Sequence, residues 1–140
     1  MASLIYDSFF NDLAVNNIKT TTDTFKMMLV TSAYTPNKGT HAKRSDVTNE
    51  VSGTGYTAGG QTVALTTTND TTNHRLDITI GSPAGWTSST ITAAAGVVYK
   101  SRGGASSADE LVCYLDFGGN VTSTNGTFAV TISSPLRIQN

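Results

Sequence analysis

Two periods divide the chain. Over residues 3–15 the apolar side chains fall at Tyr6, Phe9, Phe10 and Leu13, a spacing that gathers them on one face of a helix. Ser3 is the expected N-cap, and Asn16 and Asn17 the expected stop. Beyond residue 20 the period drops to two. "TFKMMLVTS" sets Phe25, Met27 and Leu29 on one face, with Met28 and Val30 on the other, so both faces of this strand are expected to be partly buried. "HRLDITI" alternates with Leu76, Ile78 and Ile80 inward, and "ITAAAGVVYK" with Ile91, Ala93, Ala95, Val97 and Tyr99. "ELVCYLDFG" places Leu111, Cys113, Leu115 and Phe117 on one side, and "TFAVTI" does so with Phe128, Val130 and Ile132. Short strands separated by Gly, Asn, Ser and Thr turns predict an all-β fold, an antiparallel β-sandwich or barrel, with one short N-terminal helix. Strand–helix alternation is missing after residue 20, which argues against a doubly wound sheet.

Length and charge sharpen this picture. The 140 residues suit one domain, spanning 1–140 with 1–16 as a helical arm. Net charge is -1 and only 14% of residues are charged, so Thr, Ser and Asn must supply the polar surface, as in "ALTTTNDTTN". β-Branched threonine suits an exposed strand face. No basic cluster exceeds Lys43 and Arg44, so nothing draws the chain to a nucleic-acid backbone. Apolar runs of about ten residues at most are too short for a membrane helix. The N-terminus "MASLIYDSFFNDL" lacks the pattern of a secretion signal, which leads us to expect a protein made in the cytosol. On that expectation the sequons "NDT", "NVT" and "NGT" are turn composition, not glycan sites.

Candidate chemistry is sparse. "NEVSGTGYTAGG" has glycine at 53, 55, 59 and 60, yet Gly60 is followed by Gln61 and Thr62, not by the lysine of a phosphate-binding loop. Its spacing also differs from a dinucleotide fingerprint, and "QTVALT" after it is strand-like, so the stretch reads as a tight turn. His41 lies in "THAKRSD", expected to be a polar loop, and His74 heads a strand at the surface; no serine sits in a nucleophile elbow. The acids Asp46, Glu50, Asp70, Asp77, Asp109, Glu110 and Asp116 are scattered, and no metal-binding motif is present. Cys113, the single cysteine, alternates with Leu111 and Leu115 and reads as a small buried hydrophobe. A sugar-binding module would need an exposed aromatic row; Tyr34, Tyr56 and Trp86 are expected in loops with no shared face, and a lone Trp more often anchors a core. The reading is of a non-enzyme: no catalytic residues, no cofactor and no metal.

The segments "DTFKMMLVTSAYTPNKGTHAKRSDVTNEVSGTGYTAGGQTV", "ITAAAGVVYKSRGG", "LVCYLDFGG" and "STNGTFAVTISSPLRIQN" together resemble a family of small virion proteins of tailed bacteriophages. The signature "TNEVSGTGYTAGG" and the "STNGTF" stretch, taken as a hairpin, are its most specific parts. The resemblance implies a capsid decoration (cement) protein: β-rich, trimeric, bound non-covalently to the major capsid protein and located in the virion after assembly in the host cytoplasm. A tail-tube or head–tail junction protein is the alternative within the same class, and a carbohydrate-binding β-sandwich the alternative outside it. Leu4, Ile5, Tyr6, Phe9 and Phe10 crowd one short segment, more apolar surface than a short helix is expected to bury on its own domain, and so mark an expected interface for self-association.

Overall fold

A computed structural model describes residues 2–139. The elements in chain order are β1 (Leu4–Ile5), α1 (Asp7–Ala14), β2 (Phe25–Val30), β3 (Gln61–Val63), β4 (Leu65–Asp70), β5 (Arg75–Ile80), β6 (Trp86–Lys100), β7 (Leu111–Phe128) and β8 (Leu136–Gln139). They form a five-stranded sheet ordered β1-β7-β6-β2-β3 and a three-stranded sheet ordered β4-β5-β8. All named strand pairs are antiparallel. The sheets do not close into a barrel; the all-β, sandwich-like expectation with one N-terminal helix holds.

Over Phe25–Val30, Ala93–Lys100 and Leu111–Tyr114 the larger sheet is buried on both faces, which is why these stretches read as near-continuous apolar runs. On one face Phe25, Met27, Val63, Val98 and Cys113 meet Leu65, Ile78 and Ile80 of the smaller sheet and Phe9 of α1. On the other, Met28, Val30, Ala95, Val97, Tyr99, Leu111 and Tyr114 are covered by Tyr6 and by Tyr34 from the long connection after β2. A third cluster of Leu29, Val51, Trp86, Ile91, Ala93 and Phe128 fills the far end. The chain crosses between sheets within one residue: Ala64 separates β3 from β4, and its carbonyl accepts from the Gly81 amide at 2.7 Å.

Four local expectations change. The predicted helix over 3–15 is a two-residue strand followed by a helix. Leu4 and Ile5 pair with Tyr114 and Cys113, and the residue before the helix is Tyr6, with no side-chain cap. Ser3 instead accepts the Asp116 amide on its hydroxyl at 2.8 Å. The stop does fall as read: α1 ends at Ala14 and Asn16 turns the chain with φ 67°. The run ending at Phe128, Val130 and Ile132 is a strand only to Phe128; the two later residues pack as half-buried plugs between the layers. The "STNGTF" stretch is not a hairpin. It lies inside β7, where Ser89 pairs with Gly126 and Ile91 with Ser123, so Thr124 and Asn125 bulge out, the latter with φ 47°. Of the sequon asparagines, Asn69 lies in β4, while Asn120 and Asn125 both sit at bulges of β7.

β6 shows why alternation alone misplaces faces. From Ile91 its odd positions are buried as expected, with Thr92 exposed between them, but beyond it Ala94, Val98 and Lys100 on the opposite face are buried too. There the strand has layers above and below and no solvent face to mark the period.

Candidate functional site

The glycine-rich stretch folds as a turn, closed around a carboxylate. Gly53, Gly55, Gly59 and Gly60 all have positive φ. Glu50 reaches across it: its Oε1 accepts from the Tyr56 hydroxyl at 2.7 Å and from the Gly59 amide at 2.6 Å. The Tyr56 oxygen accepts from the Leu29 amide at 3.0 Å, and Tyr99 donates to the Gly59 carbonyl at 2.6 Å. Burial raises the Tyr56 phenol far above its ordinary value, and it pushes that of Tyr99 up to about 12 despite the Arg44 guanidinium 5.1 Å from its ring centre. The Gly59 amide and the Tyr56 hydroxyl are thus engaged with Glu50, and the Tyr56 and Gly60 amides with the Gly53 and Thr57 carbonyls. The loop is a clasp on β2 and β6.

His41 is no isolated loop residue. Its Nδ1 accepts the Asn37 amide at 3.3 Å, so the Tyr34 hydroxyl, 2.9 Å away, donates to the same nitrogen. That leaves Tyr6 to donate to the Tyr34 oxygen at 2.8 Å. The three side chains form a one-way line into the core, with Tyr6 and Tyr34 both buried and Tyr34 stacked on the imidazole at 5.7 Å. His74 is where the sequence placed it, exposed at the turn before β5 with φ 54°.

The acids are less scattered in space than along the chain. Asp109 and Glu110 are 1% and 2% exposed, and both are neutralised. Arg44 Nε donates to Asp109 at 2.7 Å. The Arg102 guanidinium forks onto Glu110 at 3.1 and 2.6 Å, with Lys43 3.5 Å from the same carboxylate. Burial works to raise the Glu110 carboxyl, but the Arg102 hydrogen bonds and the adjacent cations outweigh it and hold it below the usual range. "THAKRSD" therefore contributes a short 3-10 turn (Arg44–Asp46) and a backbone bridge from Lys43 to Glu110, locking the β2–β3 connection onto the β6–β7 turn. The adjacency of Asp109 and Glu110 was the available signal, and only the fold supplies the facing cations. Asp70 and Asp77 are engaged by Arg75 and Arg137 at the edge of the smaller sheet. Among the described residues no cluster of His, Cys, Asp and Glu is arranged to hold a metal ion. Cys113 is fully buried, its thiol raised to about 12 by burial.

The aromatic residues correct one expectation. Trp86 opens β6 and is 3% exposed; Tyr56 lies 5.9 Å from it and Phe128 6.1 Å. They do share a cluster, but one that faces inward, so no exposed sugar-stacking row forms from them. Tyr34 is buried elsewhere.

The N-terminal segment also departs from expectation. Tyr6 and Phe9 are buried, while Leu4 and Ile5 are half-buried in the edge strand, so the domain covers most of this apolar surface itself. What stays open is Phe10, 46% exposed on α1, facing Ile138, 43% exposed on β8. Between them runs a groove of about 380 Å³ whose wall includes Leu13, Thr67, Leu76 and Ile78. On the smaller sheet Leu65, Ile78 and Ile80 are buried, whereas Thr67 and Ile138, which line this groove, stay exposed. Among the described residues no helix is long and apolar enough to cross a membrane. No protein-family model, curated protein or solved structure matches the chain.

Proposed function

We propose that this chain is a structural component of a tailed-bacteriophage virion, a decoration protein that stabilises the head by non-covalent contact with the major capsid protein. The single observation that carries this reading beyond the family resemblance is the α1–β8 groove: an apolar recess on a charge-poor, Thr-rich surface, set on a scaffold clamped from both faces. A capsid protein's surface segment can fill such a recess without any charged group of the groove having to be desolvated. Low net charge supports the reading as well, since many copies crowd on one shell without strong mutual repulsion. Three copies standing at a capsid three-fold, the arrangement the resemblance implies, would add avidity to weak individual contacts. Assembly would take place in the host cytoplasm, on shells already formed. Negative-stain imaging of virions labelled with an antibody to this chain tests the location: label over heads supports it, and label confined to tails supports the tail-tube or junction alternative.

A further inference from the structure

β4 differs from every other edge of the fold. It pairs with β5 without interruption over all six residues, and among the described residues nothing pairs with its other side. The other edges are short or broken, and the open side of β6 ahead of Ala95 is interrupted by the Thr54–Thr90 bridge. β1 has two residues and β3 three; β8 has four, with Arg137 among them; the open side of β7 is interrupted by bulges at 117–120 and 124–125. Bulges, brevity and charge are the usual means of keeping an edge from pairing. β4 has no bulge and no proline, and its one charge, Asp70, stands at its end: Leu65, Thr66, Thr67, Thr68 and Asn69 are uncharged, and the last four are exposed.

We propose that β4 is a docking edge for the β4 strand of a second copy of this chain, paired antiparallel about a two-fold axis. Antiparallel self-pairing puts identical residues opposite one another only at its centre. Centred on Thr67, it sets Thr66 against the second copy's Thr68 and Leu65 against its Asn69, and brings each Asp70 to the far end from its counterpart. Threonine pairs of this kind are favourable, and no like charges oppose each other. Asp70 is in any case held by Arg75 at 3.2 Å. The two smaller sheets become one of six strands, which hides both open edges in a closed, isologous contact. The two-fold axis stands perpendicular to the sheet, so the grooves containing Phe10 open on the same side, each with Thr67 at its inner rim.

This contact stands independently of the virion reading. A three-fold axis cannot pair one edge with itself, so the trimer that the family resemblance implies and this two-fold pair are alternatives that a mass measurement separates. Light scattering of the purified chain is expected to give twice the mass of one chain. Thr66→Lys with Thr68→Lys places lysines opposite each other across the axis, on exposed positions of the outer face. This double variant is expected to halve the mass while keeping the circular dichroism spectrum of the folded chain, its melting temperature falling only by what the contact contributed. Thr79→Lys, on the same face but on β5, is expected to keep the doubled mass. A single-chain mass for the unaltered protein, or a higher mass, trimeric included, that the paired lysines leave intact, overturns the proposal. Uptake of the double variant by stripped capsids tests the virion reading separately.

Discussion

Gly60 shows how much of this fold turns on single positions. Its φ is +77°, and a Cβ there would run into the Met27 carbonyl of β2, so both backbone conformation and space exclude a side chain. Gly103 has nearly the same φ, +79°, but nothing lies within 4 Å of its Cβ position. The left-handed conformation alone costs about 1–2 kcal/mol, and a clash in packed surroundings adds about 1–3 kcal/mol. Thermal melts are therefore expected to show Gly60→Ala far more damaging than Gly103→Ala, and equal losses would mean that the clasp is looser than its geometry. The turn was legible from the glycine spacing; what it turns around was not, because nothing along the chain marks Glu50 as the residue that closes it. Glu110 carries a second residue-scale expectation. Its folded carboxyl is depressed by Arg102 and Lys43, so the stability it contributes is present above its unfolded value and fades as pH falls through the folded one. Melting temperature is thus expected to hold near neutrality and drop below about pH 4, where free carboxyls protonate. Glu110→Gln should lower stability at pH 7 and flatten that decline; an unchanged acid limb would show that other carboxylates dominate it.

At the scale of elements, α1 and β7 show what a hydrophobic pattern can and cannot tell. The helix was visible in the spacing of Tyr6, Phe9 and Leu13, but its start was not, since Leu4 and Ile5 continue the apolar run while serving as a strand against β7. Phe9 and Phe10 are adjacent and chemically identical, yet the turn of the helix between them points one into the core, 1% exposed, and leaves the other 46% exposed. Phe9→Ala is expected to cost about 3–5 kcal/mol, as for a large core truncation, whereas Phe10→Ser leaves the melting temperature nearly unchanged; denaturant unfolding of the two variants measures both. If the two lost similar stability, the orientation assigned to α1 would be wrong. β7 hid its length for a different reason. Glycine and asparagine at 118–120 and 125–126 are turn residues by every local rule, yet here they form bulges inside one 18-residue strand. Bulge and turn use the same residues, and only the uninterrupted partner strand β6 distinguishes them.

At the scale of the whole molecule, the β-rich class followed from period and composition, because Thr-rich alternation has few other uses. The pairing of β4, β5 and β8 into a separate sheet had no local signal; it depends on the single-residue crossing at Ala64 and on the return of the C-terminal segment to β5. That sheet creates both the groove beside Phe10 and the open β4 edge, so the surfaces through which this protein would assemble were the part least visible in its sequence. The glycine loop, His41 and most of the acids are drawn into internal contacts; beside the apolar groove and the β4 edge, a polar recess lined by Asn69, Asp70, His74 and Arg75 stays open. The most direct test of a structural role in the phage head is co-sedimentation of the purified chain with capsids from which it has been stripped. The account predicts saturable binding to assembled capsids, weakened by Phe10→Ser, and none to free capsid subunits. A chain that stays in the supernatant with capsids but sediments with purified tails would contradict it.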